Sequence, residues 1–514
     1  MKKIFYFAII AALMLTALAS GCSSKDSGAE YYSSYSYEAP AYPNEGYEGY
    51  DESEFTSPVD KPLSTLSIDV DTASYSNIRR YLNEGELPPV DAVRVEECIN
   101  YFKYDYPQPD GEHPIDATVT ISTCPWNENN YLARVAVQGE YIEKEDAGAS
   151  NLVFLLDVSG SMNDPNKLPL VKSAMVMLSK ELSAEDKISI VVYAGAAGVV
   201  LEGCDGDDLL EISKAIKKLK SGGSTAGGAG INLAYDIAEE YFIEDGNNRV
   251  ILCTDGDFNV GPSSKDQLEK LVEKKRESGV FLSVLGFGTG NVKDNTMETL
   301  ADKGNGNYAY IDNLMEAKKV LIDDMTSTLY TLAKDVKIQV EFNPAAIKEY
   351  RLVGYDNRRL NDEDFNDDKK DAGEVGAGHS VTVFYELILV GNEGSGKVDD
   401  LVFQGNDEEQ AEGDAFEVED WMYVKFRYKL PDEDESVLFT KMAGLGNFTY
   451  TPDNDFLFAT AVTEFALLLK KSENAADASY DSLIERAKDS KGDDENGYKS
   501  QFIQLAELAA TLDD

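Results

Sequence analysis

The sequence predicts a multidomain α/β protein in which a doubly wound, Rossmann-like domain is inserted between β-rich flanking segments, with helices at the C-terminal end. Three observations predict it. A chain of 514 residues is too long for one hydrophobic core. Five short apolar runs, at 151–156, 187–193, 249–254, 280–286 and 307–311, alternate with helical spacing. Continuous runs of this kind belong to strands buried on both faces of a parallel sheet. Outside that stretch the apolar residues recur with period two, at 117–123 and 131–138 and again only after residue 333. Isolated hairpins are barely stable, so the separated strands are expected to share one sheet or sandwich, with everything between them inserted.

The elements follow in order. Residues 1–21 read as an export signal, with Lys2 and Lys3 before an apolar stretch over 4–18, short of the about 20 residues that span a membrane. Leu18-Ala19-Ser20-Gly21-Cys22 resembles a bacterial lipobox, which makes Cys22 the expected lipidation site and the protein an exported one, lipid-anchored at the cell membrane or envelope of a bacterium. Residues 22–61 mix Ser, Tyr, Gly, Glu and Pro without a hydrophobic period and are expected to be a disordered linker. The N-terminal α+β region, 62–148, holds a strand at 63–69, helices at 72–82 and 91–102 with Asp71 or Thr72 as N-cap, and the hairpin already named. In 149–332, Leu168, Val171, Met175, Leu178 and Leu182 lay one apolar stripe on a helix, and Leu209, Ile212, Ile216 and Leu219 another. Strands at 335–342, 350–355, 381–390 and 421–428 make 333–430 a β-rich domain, open to joining 115–140 in one sandwich. Residues 404–420 form an acidic loop, and helical periods at 456–471, 480–488 and 498–512 make 431–514 a helical region.

Charge narrows the function. Asp plus Glu number 94 against 47 Lys plus Arg, a net −47. Such a surface repels phosphates, so no nucleic acid is expected as partner. Cations and basic patches on proteins are the complementary surfaces. Besides Cys22, Cys98, Cys124, Cys204 and Cys253 permit two disulfides in three pairings outside the cytosol, while Cys253 in an apolar strand is equally suited to a free thiol. With two histidines, His113 and His379, and no C-x-x-C pair, a zinc site is not expected.

The chemistry concentrates at strand ends. Asp157-Val-Ser159-Gly-Ser161 begins where the first buried strand stops, and alternate residues of a tight loop can turn their oxygens inward toward a hard cation. A second loop carries Ser224-Thr225 within a glycine-rich segment, and a third carries Asp255 in Thr254-Asp-Gly256. Helix capping by Ser159 and Ser161 is the alternative reading of one loop alone. Three loops converging at one end of a doubly wound sheet form a ligand site. The glycine-rich segment lacks the Gly-Lys-Ser/Thr ending of a phosphate cradle and follows a helix.

These residues resemble a von Willebrand factor A domain (VWA), in which D-x-S-x-S, a distant Thr and a distant Asp form the metal-ion-dependent adhesion site (MIDAS). The resemblance implies that Ser159, Ser161 and Thr225 bind a divalent cation directly, while Asp157 and Asp255 hold its waters or coordinate it. Mg²⁺ is the ion it implies first, with Mn²⁺ or Ca²⁺ as alternatives, and the remaining coordination place goes to an Asp or Glu of a partner protein. Further motifs, among them Ser67-Ile-Asp-Val-Asp-Thr-Ala-Ser74, Cys124-Pro-Trp126 and Asp364-Phe-Asn-Asp-Asp-Lys-Lys370, resemble a family of bacterial envelope lipoproteins that carry an N-terminal domain, the A-type domain and a C-terminal domain of unknown function. An adhesion or envelope-assembly role follows. The alternatives are a scaffold with a purely structural metal and a metal-assisted hydrolase. No catalytic residue is identified, and the chain is not expected to be an enzyme: neither histidine lies in the A-type domain and no G-x-S-x-G elbow is present. Two readings of the junction stay open: a shift at Thr225 on ligation passes to the segment 313–332 and tilts the neighbouring sheet, or the inserted domain sits on a rigid spacer.

Overall fold

A computed structural model describes residues 45–68, 71–143, 148–194, 196–222, 227–256, 265–289, 293–392, 394, 415–431 and 433–513. Cys22, Thr225, Asp257 and most of the acidic loop lie outside the described residues. Among the described residues no helix is long and apolar enough to cross a membrane.

The inserted domain is a six-stranded sheet of β4 (Ser150–Asp157), β5 (Lys187–Ala194), β6 (Ala196–Asp205), β7 (Asn247–Thr254), β8 (Val280–Phe287) and β9 (Tyr308–Ile311). Its order is β6-β5-β4-β7-β8-β9, parallel except for the β5–β6 pair. The strand sequence therefore reverses between β4 and β7, and that is where a doubly wound sheet opens its ligand crevice. Every residue of β4 and β7 is buried, as their unbroken apolar runs require. On one face α3 (Leu168–Leu178) and α4 (Leu209–Lys218) bury Leu168, Val171, Met175, Ile212 and Ile216. The other face is covered by α5 (Gly227–Glu240), α6 (Lys265–Arg276) and α7 (Asp294–Lys303) through Ile231, Leu268 and Met297. Edge strand β6 escapes the periodicity reading because only Leu201 along it is buried. An edge strand needs no apolar run.

The flanks do form one sandwich. One sheet runs β12 (Arg359–Leu360), β1 (Leu63–Ser67), β10 (Thr331–Phe342), β15 (Asp420–Lys429) and β16 (Val437–Gly444), with β13 (Gly373–Gly376) also on β10. Facing it is β11 (Ile347–Val353), β14 (Ser380–Leu389), β3 (Asn127–Gly139) and β2 (Ile115–Cys124). Leu66, Ile121, Val135, Ile338, Val383 and Phe426 share the core between them. A third layer covers the second sheet: α1 (Ala73–Asn83), α2 (Val95–Ile99), α10 (Asn454–Lys470), α11 (Tyr480–Ser490) and α12 (Tyr498–Asp513) pack with Trp126, Leu132 and Phe384. This is why all ten residues of β14 are buried although its partners are antiparallel.

Several expectations need correction. Residues 45–61, read as the end of a disordered linker, are ordered: Glu45 pairs with buried Arg80 at 2.8 Å, and Tyr50 and Phe55 stack on Arg94 and Arg351. The tyrosines that break the hydrophobic period are the anchors. Residues 62–148, read as an N-terminal α+β region, divide between two layers, β1 to β3 in the sandwich and α1 and α2 in the helical layer. The region 431–514 begins with a strand, β16, which is half exposed at a sheet edge. Of the two cap candidates Thr72 holds the N-cap position of α1, without a side-chain bond, while Asp71 Oδ1 accepts the Tyr308 amide at 2.8 Å and Glu97 accepts the Ser74 amide. Cys98, Cys124, Cys204 and Cys253 are all free thiols. Burial pushes the Cys98 and Cys124 thiols well up, so they behave as small apolar groups.

The inserted domain leaves the sheet through α8 (Leu314–Lys318), a π turn at Lys319–Asp323 and α9 (Met325–Leu329). Burial raises the Asp324 carboxyl, but Lys319 and Lys103 outweigh it and hold the group at about 2 against an ordinary 3.8. A carboxyl depressed in the folded state stabilises above its unfolded value and loses that contribution as pH falls. Urea midpoints are therefore expected to drop between about pH 4 and pH 2, and Asp324→Asn should flatten that part of the profile.

Candidate functional site

The three predicted loops leave the carboxyl ends of β4, α4 and β7. Asp157 is the last residue of β4 and is fully buried. Its Oδ1 accepts the Ser159 amide at 2.7 Å, which folds the chain back at once and sends Gly160–Asn163 into a 3₁₀ turn. Ser159 Oγ and Ser161 Oγ then lie 2.9 Å apart, the first buried and the second exposed. Gly222 donates its amide to the Val158 carbonyl at 2.7 Å, and Ser221 Oγ donates to Asn163, so the glycine-rich loop starts against the first loop. Gly230 in α5 is required there, since a Cβ would lie 2.9 Å from Tyr193 Cβ.

Asp255 follows β7 and is 2% exposed. Its Oδ2 accepts a hydrogen bond from Lys167 Nζ at 2.9 Å. Asp157 Oδ2 and Asp255 Oδ1 are both buried with no donor in hydrogen-bond geometry among the described residues. Burial raises the Asp157 carboxyl above its usual range; the Ser159 amide and hydroxyl and the Tyr193 hydroxyl pull it back, while the nearby Asp255 charge adds to the rise. Two buried carboxylate oxygens without donors, beside a pair of hydroxyls, are an oxygen-rich set suited to a hard divalent ion. Among the described residues no cluster of three or more His, Cys, Asp or Glu exists that could hold a metal by itself. The donor set here depends on hydroxyls.

The structure thus brings together Asp157, Ser159, Ser161 and Asp255. Lys167 was missed by sequence reasoning. It occupies the N-cap of α3, the positive end of the helix dipole, where a cation is disfavoured. A lysine at such a position signals a carboxylate partner elsewhere. Gly288, at φ +77°, leaves room for the Lys167 stem, which any side chain there would strike.

Three family models match the chain: von Willebrand factor over residues 41–134, von Willebrand factor type A domain over 151–323, and Uncharacterized protein YfbK, C-terminal, over 327–512. The Escherichia coli (strain K12) "Uncharacterized protein YfbK" is 42% identical over 475 residues, 91% of this chain and 81% of that protein. Among solved structures, a von Willebrand factor type A protein from Catenulispora acidiphila aligns over 76% of this chain and 89% of that one, at 14% identity and TM-score 0.40. Proximal thread matrix protein 1 from the mussel byssus, with a zinc-occupied MIDAS motif, aligns over 34% of this chain and 45% of its own at 26% identity and TM-score 0.29. The near full-length match, together with a doubly wound domain set between the two strands-and-helices flanks, means that the chain belongs to the YfbK family of proteins with a von Willebrand factor type A domain.

Proposed function

We propose that this protein is an exported, lipid-anchored envelope protein whose VWA domain captures a partner protein through a divalent ion, Mg²⁺ first, held by Asp157, Ser159, Ser161, Thr225 and Asp255. The observation that supports it is the pair of buried carboxylate oxygens, Asp157 Oδ2 and Asp255 Oδ1, that lack donors among the described residues at the switch point of the sheet. When bound, the ion supplies a positive charge left incompletely neutralised by hydroxyl ligands, which draws an Asp or Glu from outside. Asp157 orients the Ser159 amide, and Ser161 stands at the exposed rim where a partner would arrive. Lipidation at Cys22 rests on the lipobox alone. Binding is favoured over catalysis because His113, which pairs with Tyr428, and His379, which directly precedes β14, both belong to the sandwich and not to the inserted domain.

Mn²⁺ titration of the purified protein, followed by calorimetry, tests the metal half. One ion per chain with micromolar to millimolar affinity is expected, and unchanged binding in Ser161→Ala and Asp157→Ala would remove the assignment. Crosslinking on intact cells with wild type against Ser161→Ala tests the partner half. Because the Lys167 ammonium competes for the same carboxylate, Lys167→Met is expected to bind Mn²⁺ about tenfold more tightly, the equivalent of roughly 1.4 kcal/mol.

A further inference from the structure

Six arginines among the described residues are buried: Arg79, Arg80, Arg94, Arg134, Arg249 and Arg351. Five pair with a carboxylate, namely Asp312, Glu45, Glu97, Asp453 and Glu386 in that order. Arg249, 1% exposed, makes no carboxylate ion pair among the described residues. Its Nη1 donates to Ser283 Oγ at 2.7 Å, while Nε is buried with no acceptor among the described residues. An unpaired buried charge costs several kcal/mol, so the fold would not carry this guanidinium without something to balance it.

Arg249 borders a cavity of about 100 Å³ between the inserted domain, the helical layer and the sandwich. Ser283 and Asn307 come from the sheet, Lys103 from beyond α2, Thr328 from the exit segment and Ser380 from β14. Two of the three carboxylates on its wall are engaged elsewhere: Asp71 accepts the Tyr308 amide and pairs with Arg358, and Asp324 takes Lys103 and Lys319. Glu374 is the charged neighbour that acts on Arg249, and it acts on Arg276 as well. Burial accordingly holds the Arg249 guanidinium down at about 10 in spite of Glu374. A small apolar hollow of about 30 Å³ adjoins the same arginine, walled by Leu152, Leu178, Ile251 and Leu321. Arg249 lies six residues before Asp255 on an extended strand, so the cavity is about 20 Å from the metal site, at the other end of the sheet.

We infer that this cavity is a binding site for a short-chain carboxylate, which meets the Arg249 guanidinium and Ser283 while its alkyl end enters the Leu152–Ile251 hollow. Planar guanidinium forks match carboxylates in geometry as well as charge. The volume of about 100 Å³ has room for a small carboxylate such as acetate or propionate. The site touches Val320 and Thr328 in the π-turned exit segment, so occupancy stiffens the junction of all three layers.

The test uses the full chain in EDTA, so that carboxylate bound at a metal is not counted, with chloride as the ionic-strength control. Propionate is expected to raise the melting temperature saturably, with half-maximal effect at least tenfold higher in Arg249→Met and unchanged in Asp157→Ala. Arg249→Met replaces an unpaired buried charge by an apolar chain and should fold; Ser283→Ala serves as the milder variant and should weaken propionate severalfold. Glu374→Gln removes a like-charged neighbour and should tighten binding. Identical propionate responses in wild type, Arg249→Met and Ser283→Ala would overturn the inference, as would a saturable response to phosphate with none to propionate. So would binding that emerges only in Glu374→Gln, because Glu374 would then be the native counter-ion.

Discussion

Arg79→Ala is expected to lower stability by about 3–5 kcal/mol, read from urea unfolding curves, because it breaks a buried pair by removing one partner. Arg79 projects from α1 and is 1% exposed. Its Nε donates to Asp312 at 2.8 Å, Nη2 to Glu316 at 2.7 Å and Nη1 to the Tyr101 hydroxyl at 2.9 Å. Tyr101 in turn donates to Glu316, which is fully buried in α8. Alanine leaves two carboxylates of the inserted domain facing the helical layer without a cation. Arg79→Lys should recover less than half of the loss, since an ammonium cannot reproduce the forked contacts. A loss under about 1 kcal/mol would mean that the latch is redundant with Lys319 and Lys103.

Asp255→Ala should have an effect of similar size in the absence of metal, for a different reason. It strands the Lys167 ammonium, 6% exposed, in a buried slot with no partner, again about 3–5 kcal/mol. Adding Lys167→Met to the same chain removes the stranded charge and should restore most of the stability. The double variant should still fail to bind Mn²⁺. Stability and metal affinity therefore separate in this cycle, and a double variant that regained Mn²⁺ binding would exclude Asp255 from the metal site. The cycle isolates the pair because neither substitution introduces a new polar group.

How much of this was legible depends on what each residue answers to. The parallel strands and the stripes on α3 and α4 were readable because burial on one or both faces imposes a period on the chain. Asp157, Ser159, Ser161 and Asp255 were readable because a doubly wound sheet delivers its strand ends to one crevice. The order of residues 45–61 was not: Glu45, Tyr50 and Phe55 are held by arginines far along the chain, and no local period records that. Lys167 was hidden for the same reason, its partner lying 88 residues away. Asp71 looked like a cap because it precedes a helix, yet a carboxylate serves whichever donor the tertiary fold brings, here the Tyr308 amide. The cysteine count suggested bridges, and Cys98 and Cys124 do share one core and Cys204 and Cys253 another, yet all four stay free thiols.

The insertion point itself carries a consequence for biosynthesis. The inserted domain enters after β3 and leaves before β10, and the Ser150 hydroxyl sits 3.3 Å from that of Tyr330, so entry and exit are side by side. Everything its sheet needs is contiguous in sequence between those two points. Its host sandwich is not: β1 must wait for β10, and β10 for β15, which begins at Asp420. Domains fold as units as the chain emerges, and distant pairings pay loop closure before they are rewarded. The inserted domain is therefore complete on the ribosome while the first three strands of the sandwich are still unpaired with their later partners. The same asymmetry makes those early strands, and not the inserted domain, the part of the emerging chain that needs shielding from aggregation.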